Sequence, residues 1–215
     1  MMIKRVLLAG AVLLSALTVI PHADAAPKSV SCKASTAVGH TPMKLEIPKI
    51  KKPFKNKTFK FKTNCGEIVV AADGVKAPLT VISLAYLANS NYYDNSVCHR
   101  LITSGIFILQ CGDPTASGSG GPQWQVPDEN LPTGSPTSNL YPAGTVAMAN
   151  SGPNTNGSQF FFVFKDNSQL AASYTVWGKV IKGMEIINYI ASKGSDATKA
   201  DSPNQAFEII KASAR

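Results

Sequence analysis

Histidine and cysteine are scarce in this 215-residue chain, with three of the first and four of the second, and only 16% of residues are charged. His22 and His40 fall within the first 40 residues, so His99 stands alone in the body of the chain and a multi-histidine metal site is excluded there. No metal and no cofactor are expected. Also missing are GxxxxGK(S/T), HExxH, CxxC and GxSxG, and with them phosphate-loop, zincin, dithiol and serine-elbow chemistry. No internal repeat is visible. Long hydrophobic runs are lacking too: the stretch from Val6 to Ile20 is the longest, and it falls short of the roughly 20 residues that span a bilayer.

That one apolar run follows Lys4 and Arg5 and precedes Ala23-Asp24-Ala25, a small-x-small cleavage pattern. Residues 1–25 therefore read as a signal peptide of a secreted or extracytoplasmic protein, with an uncleaved N-terminal membrane anchor as the second reading. The first cysteine, Cys32, lies past the cleavage point, which argues against lipid attachment. The net charge of +8 belongs to one segment: residues 26–63 carry +9, while residues 64–215 carry −2. A nucleic-acid partner is not expected from that distribution. Pro27, Pro42, Pro48 and Pro53 scatter among lysines without apolar periodicity, so residues 26–57 read as a linker or arm. Such an arm has the charge to touch anionic envelope material, although a solvated Lys-rich linker is the simpler reading.

Four cysteines in an exported chain point to disulfides. Three pairings are open for Cys32, Cys65, Cys98 and Cys111. Cys98 and Cys111 flank two strand-like runs, which favours that bridge and leaves Cys32 for Cys65.

From residue 58 to 215 the pattern becomes that of a folded domain, expected as a monomer. Phe59 and Phe61 alternate with Lys60 and Lys62, and a turn at Asn64-Cys65-Gly66 leads into Ile68-Val69-Val70-Ala71. Pro78 suits the first turn of a helix, with Leu79, Ile82, Ala85, Tyr86 and Leu87 on its apolar face up to Asn89. Strand-like runs follow at 97–102, 106–111, 145–149, 159–164, 174–181 and 206–211. A second helix spans Met184 to Ser192 and stops before Gly194, a left-handed terminator. Many short strands with two helices predict a mainly antiparallel barrel or sandwich.

Few side chains offer chemistry. Asp113, Asp128 and Glu129 lie in turn-rich sequence, where a solvated role outweighs a carboxylate pair. Cys98 and His99 are neighbours on a strand, so their side chains diverge and a thiol–base pair is disfavoured. Arg100 sits in a strand-like run beside Leu101 and Ile102 and offers a permanently charged, planar fork of donors. Its other reading is a buried ion pair.

The run Met148-Ala149-Asn150 with Gly152-Pro153-Asn154-Thr155-Asn156-Gly157-Ser158-Gln159-Phe160-Phe161 closely resembles the signature of the cyclophilin-type peptidyl-prolyl cis-trans isomerases. The resemblance extends to His99-Arg100-Leu101-Ile102, to Gln110, Gly112 and Asp113, to the run from Tyr174 to Val180, and to Gly183-Met184, covering about residues 58 to 212 in collinear order. It implies a closed eight-stranded antiparallel barrel capped by two α-helices, and acceleration of X–Pro isomerisation in proline-containing polypeptides. It also implies roles: Arg100 as cationic donor and Gln110 to orient it; Phe107, Ile108, Phe161 and Leu170 as lining of the proline pocket. Ala149 and Asn150 would present backbone groups to the substrate, with Gln159 at the rim and Tyr174 at the pocket wall. A non-catalytic proline-peptide-binding chaperone or adhesion module is the alternative.

The sequence departs from the common family pattern at several points. Gln169 stands in place of an aromatic residue, usually tryptophan, and losing that indole N–H speaks against tight cyclosporin binding. Tyr174 replaces a histidine but keeps an aromatic body and a polar tip. Cys98, Ile108 and Cys111 replace the usual phenylalanine, methionine and glycine, and the stretch from Arg100 to Gln110 is two residues longer.

Overall fold

Alternation of buried and exposed side chains sets the first hairpin. Phe59 and Phe61 are almost wholly buried and Lys60 and Lys62 exposed in β1 (Lys57–Thr63), which pairs antiparallel with β2 (Gly66–Ala72) across the turn at Asn64-Cys65. The computed structural model describes residues 29–166 and 169–215, and the expected signal peptide lies outside them.

Among the described residues nine strands form one antiparallel sheet. To β1 and β2 are added β3 (Ser96–Val97), β4 (Arg100–Ile102), β5 (Ile108–Cys111), β6 (Thr145–Met148), β7 (Phe160–Val163), β8 (Val176–Lys182) and β11 (Glu208–Ala214), in the order β3-β11-β1-β2-β8-β6-β7-β5-β4. Two short strands, β9 (Ser195–Asp196) and β10 (Ser202–Pro203), pair as a separate ribbon.

The closed eight-stranded barrel expected from the resemblance is not what forms: the sheet has nine strands and stays open. Its two edges, β3 and β4, are consecutive in the chain and separated only by Cys98 and His99. The run read as one strand over 97–102 is thus divided. Its first part pairs with β11 and its second with β5, so the edges of the curled sheet meet on one extended segment with no backbone ladder between them. The disulfide Cys98–Cys111 crosses from that segment to β5.

The last strand also shifts. It runs Glu208–Ala214 rather than 206–211, because Ile209, Ala212 and Ala214 join the core against β1 while the bulge between Lys62 and Thr63 adjusts the register.

Both helices occupy the expected spans, α1 (Pro78–Asn89) and α2 (Met184–Ser192), with Gly194 left-handed after the second. The apolar face of α1, however, is only partly the predicted one, with Ala85 and Leu87 buried as expected. Leu79, Ile82 and Tyr86 are half-exposed, and the buried face is Val81, Leu84, Ala85, Leu87 and Ala88 together with Thr80 and Ser83. Small polar residues belong to the core side here because Ser83 Oγ accepts from the buried Trp124 Nε1 at 2.9 Å. The α1 N-terminus is capped from outside: Glu129 Oε1 and Oε2 accept from the amides of Leu79 and Thr80 at 3.0 and 2.8 Å, a favourable place for a carboxylate.

Residues 29–56 form neither helix nor strand, yet they lie along the fold. Cys32 is bonded to Cys65, and Lys33 and Asn64 exchange hydrogen bonds at 2.9 Å. Ser35 Oγ donates to Glu208 Oε2 (2.8 Å) and the His40 amide to the Pro114 carbonyl (2.8 Å). Val30, Cys32 and Leu45 pack on the core, and Gly39 abuts the Thr115 carbonyl so closely that any side chain there would collide. Lys44, Lys49, Lys51 and Lys52 remain exposed, as do Val38, Met43, Ile47 and Ile50.

Candidate active site

In a pleated sheet, residues directly opposite on neighbouring strands share a face. Arg100 lies opposite Gln110, Gln110 opposite Phe161, and Phe161 opposite Ala147, so four strands contribute one lateral row. The adjacent row on the same face is Ile102, Ile108 and Val163. Intervening residues Leu109, Cys111, Phe160, Phe162, Val146 and Met148 point the other way, into the main core.

The outward rows carry a second apolar cluster, separate from the core: Ile108, Tyr141, Ala147, Phe161, Val163 and Leu170, all buried, with Ala149 and Tyr174 among its half-buried flanks. Phe161 and Tyr174 meet edge to face at 5.4 Å, and Tyr141 stands 6.2 Å from Tyr174. Tyr141 went unnoticed in the sequence, isolated in a Gly-, Pro- and Ser-rich loop. It is completely buried, its hydroxyl donates to the Ala171 carbonyl (3.0 Å) and accepts from the Tyr174 amide (3.0 Å), and burial pushes its pKa up to about 12. It therefore serves as a neutral pillar that sets Tyr174 against Phe161.

Phe107 is placed apart from the other expected pocket residues. It immediately precedes β5 and does not belong to the outward cluster. It meets Phe164 edge to face at 6.0 Å under the Lys165 ammonium, 4.6 Å from its ring.

A polar wall borders the cluster. Gln110 Nε2 donates to Gln159 Oε1 (2.8 Å), and Gln159 Nε2 donates to the carbonyls of Gly118 and Gly120 at 3.0 and 2.9 Å. Gln110 Oε1, the atom that could accept from a guanidinium, makes no hydrogen bond to Arg100 among the described residues. Asn150 is fixed by donating to the Ser173 carbonyl (2.9 Å), and the Ala149 amide donates to the Gln159 carbonyl (2.9 Å). Between this wall and the signature loop is a cavity of about 280 Å³ lined by Gln110, Gly120, Trp124, Ala149, Asn150 and Gln159.

Arg100 remains beside this row with its side chain 43% exposed, and its partner is Asp201, with 3.9 Å between Nε and Oδ2. The buried ion pair considered for it is therefore not formed, and the guanidinium stays accessible.

The three acidic residues take structural roles rather than the solvated ones expected. Glu129 caps α1, Asp128 holds the Asn154 amide and Asn156 Nδ2 at 2.9 and 2.8 Å, and the wholly buried Asp113 organises the loop that receives Gln159. Asp113 Oδ1 accepts from the Thr115 amide and hydroxyl, and Oδ2 from Ser117 Oγ and the amides of Gly118 and Gly120, at 2.7 to 3.3 Å. Burial alone would raise its pKa. The hydrogen bonds from Thr115, Gly120 and Gly118 together outweigh it and hold the carboxyl below its ordinary value.

A folded-state pKa below the unfolded one means that the stabilisation is fully present above the unfolded value near pH 4 and is lost as pH falls through the folded one. The stability gap between wild type and Asp113→Asn, measured by denaturant unfolding, is accordingly expected to be constant above about pH 5 and to narrow below about pH 4. A gap independent of pH down to 2 would reject that account.

Cys98 is bonded to Cys111, so no thiol stands beside His99. Burial lowers the His99 pKa, Asp113 opposes and Arg100 assists, and neither ring nitrogen has a partner among the described residues.

A protein-family model, "Cyclophilin type peptidyl-prolyl cis-trans isomerase/CLD", matches residues 58–214. Among curated proteins, a probable peptidyl-prolyl cis-trans isomerase B of Mycobacterium leprae is 44% identical over 156 residues, 68% of this chain and 52% of that protein. A Mycobacterium tuberculosis counterpart is 42% identical over 142 residues, 61% of this chain and 46% of its own length. The chain thus spans about half the length of these relatives. A crystal structure of a Cryptosporidium parvum cyclophilin type peptidyl-prolyl cis-trans isomerase superposes with a TM-score of 0.65 at 30% identity, covering 75% of this chain and 98% of that one. A second structure of that protein, in the presence of the dipeptide ala-pro, gives 0.64 at 31% identity, covering 74% and 98%.

Proposed function

The chain belongs to the cyclophilin-type peptidyl-prolyl cis-trans isomerase family, and from that premise we propose that it accelerates rotation about X–Pro bonds in polypeptides. The observation that carries this reading is the single row of Arg100, Gln110 and Phe161, which sets a permanent cation at the edge of an aromatic, water-poor surface.

The chemistry needs no nucleophile or metal. Rotation breaks no bond to a heavy atom but must cross a barrier of about 18–20 kcal/mol, and an unaided X–Pro bond takes tens to hundreds of seconds. In the twisted state amide resonance is lost and the proline nitrogen regains a lone pair. A fixed guanidinium donor stabilises that state more than the planar one. Arg100 is the donor in this mechanism.

The proline ring rests on Ile108, Phe161 and Leu170 against the Tyr174 wall. Ala149 and Asn150 lie along the preceding residues, and Gln159, braced by Gln110, forms the rim. A ~10⁶-fold acceleration corresponds to about 8 kcal/mol, whereas one hydrogen bond to a charged group contributes about 1.5–3 kcal/mol. Desolvation and restriction of the chain on one side of the bond must provide the remainder.

The test is a proline-peptide isomerisation assay on the full chain: a rate well above buffer is expected, and one equal to buffer would reject the proposal. The second reading is a non-catalytic proline-peptide-binding module, and retention of a cationic donor beside the apolar cluster weighs against it.

Export and work on exported proteins belong to the same proposal. Support comes from the leader pattern ahead of Ala26 and from two disulfides, bonds that persist in oxidising compartments. Among the described residues no helix is long and apolar enough to cross a membrane. The exposed lysines among residues 29–56 suit contact with anionic envelope material. Fractionation tests both points: an N-terminus at Ala26 outside the cytoplasm and salt-dependent release from the envelope are expected, and cytoplasmic retention of an intact N-terminus would refute export.

A further inference from the structure

Arg100 needs a fixed direction to act, and among the described residues no hydrogen bond ties it to Gln110, whose Nε2 donates to Gln159. The remaining neighbour is Asp201, in the connection between the ribbon strands β9 and β10.

That connection is held against β4 by its backbone. The Leu101 amide donates to the Asp201 carbonyl at 2.8 Å, extending the edge of the sheet by one bond next to Arg100. Ala200 and Asp201 are consecutive left-handed residues, with φ of 53° and 60° and no glycine. Such a conformation is unfavourable for a residue with a Cβ and persists where surrounding contacts impose it.

Lys199 does not compete for the Asp201 carboxylate, because its ammonium pairs with Asp196 at 3.2 Å. Arg100, Gln110, Ala200 and Asp201 border a cavity of about 500 Å³, which leaves room at the guanidinium for a chain.

We propose that Asp201 is a positioning residue that steers the Arg100 guanidinium from its Nε side and leaves the terminal amino groups for the substrate. This rests on reading Arg100 as the donor of the isomerase. At 3.9 Å the contact is Coulombic and not a hydrogen bond, so it restrains direction without occupying the donors. Both side chains are about 40% exposed, which keeps the expected effect modest.

The experiment uses the full chain with Asp201→Asn, Asp201→Glu and Asp201→Asn in an Arg100→Ala background. Exposed pairs of this kind correspond to a change of about two- to fivefold. The Asn variant is expected to lose that much in kcat with KM unchanged, the Glu variant to recover most of it, and the double variant to match Arg100→Ala alone. NMR of the Arg100 Nε–H supplies a readout independent of turnover: its resonance should shift and its solvent exchange quicken in Asp201→Asn.

An unchanged Nε–H signal, an unchanged or raised kcat, or an equal loss in the Arg100→Ala background overturns the proposal. A wild-type chain that fails to accelerate isomerisation removes the isomerase reading instead, and the Nε–H signal then judges the Arg100–Asp201 pair by itself.

Discussion

Substituting Arg100 by alanine is expected to lower kcat/KM for a proline peptide by about 10²- to 10³-fold, the usual cost of removing one preorganised donor aimed at developing charge. Stability should hardly change. The side chain is partly exposed and its one ion pair among the described residues is loose, and surface substitutions of that kind stay within about 0.5 kcal/mol. Arg100→Lys keeps the charge but not the planar fork, so an intermediate rate is expected. The pattern separates the two functional readings. If Arg100→Ala binds proline peptides as wild type does but no longer accelerates them, the cation acts on the transition state. If neither protein accelerates them and both bind, the surface is a docking module.

The second large effect concerns the seam of the sheet. No ladder joins β3 to β4, and the disulfide Cys98–Cys111 is the covalent tie from the segment between those edges to β5. Closing a loop of this length removes about 3 kcal/mol of unfolded-state freedom. For a chain of this size that corresponds to a fall in Tm of about 6–12 °C when the bond is removed.

Activity should fall as well, since Cys98 lies two residues before Arg100 and Cys111 directly after Gln110. Thermal unfolding of a Cys98→Ala/Cys111→Ala double variant, with isomerisation rates beside it, provides the check. An unchanged Tm would show that the seam holds without the bond. Both cysteines are almost fully buried, so the double variant isolates the effect better than a reductant that must first reach them.

Where a single local rule governs, the sequence was readable. The Phe59/Phe61 alternation gave the first hairpin, Pro78 and Gly194 marked helix ends, and the Met148–Phe161 signature gave the row on which the candidate site stands.

Reading failed where distant partners decide. The buried face of α1 depends on Trp124 reaching Ser83, 41 residues apart. The roles of Asp113 and Glu129 depend on which amides converge on them, and polarity alone resembles solvation. Phe107 stands outside the cluster of the other expected pocket residues, against Phe164, a contact that depends on a strand about 50 positions away. The pairing of Asp201 with Arg100 was invisible because a backbone turn 101 positions along the chain brings it about.

Residues 32–40 reach Cys65, Pro114 and Glu208, the last across 173 positions. During synthesis that stretch emerges early, yet its bond to Glu208 cannot form until almost the whole polypeptide has been made. That hydrogen bond is therefore among the last contacts to form, whereas the bonds to Cys65 and Asn64 need only the first hairpin. By joining Cys65 and Glu208, residues 32–40 tie the opening hairpin to the final strand.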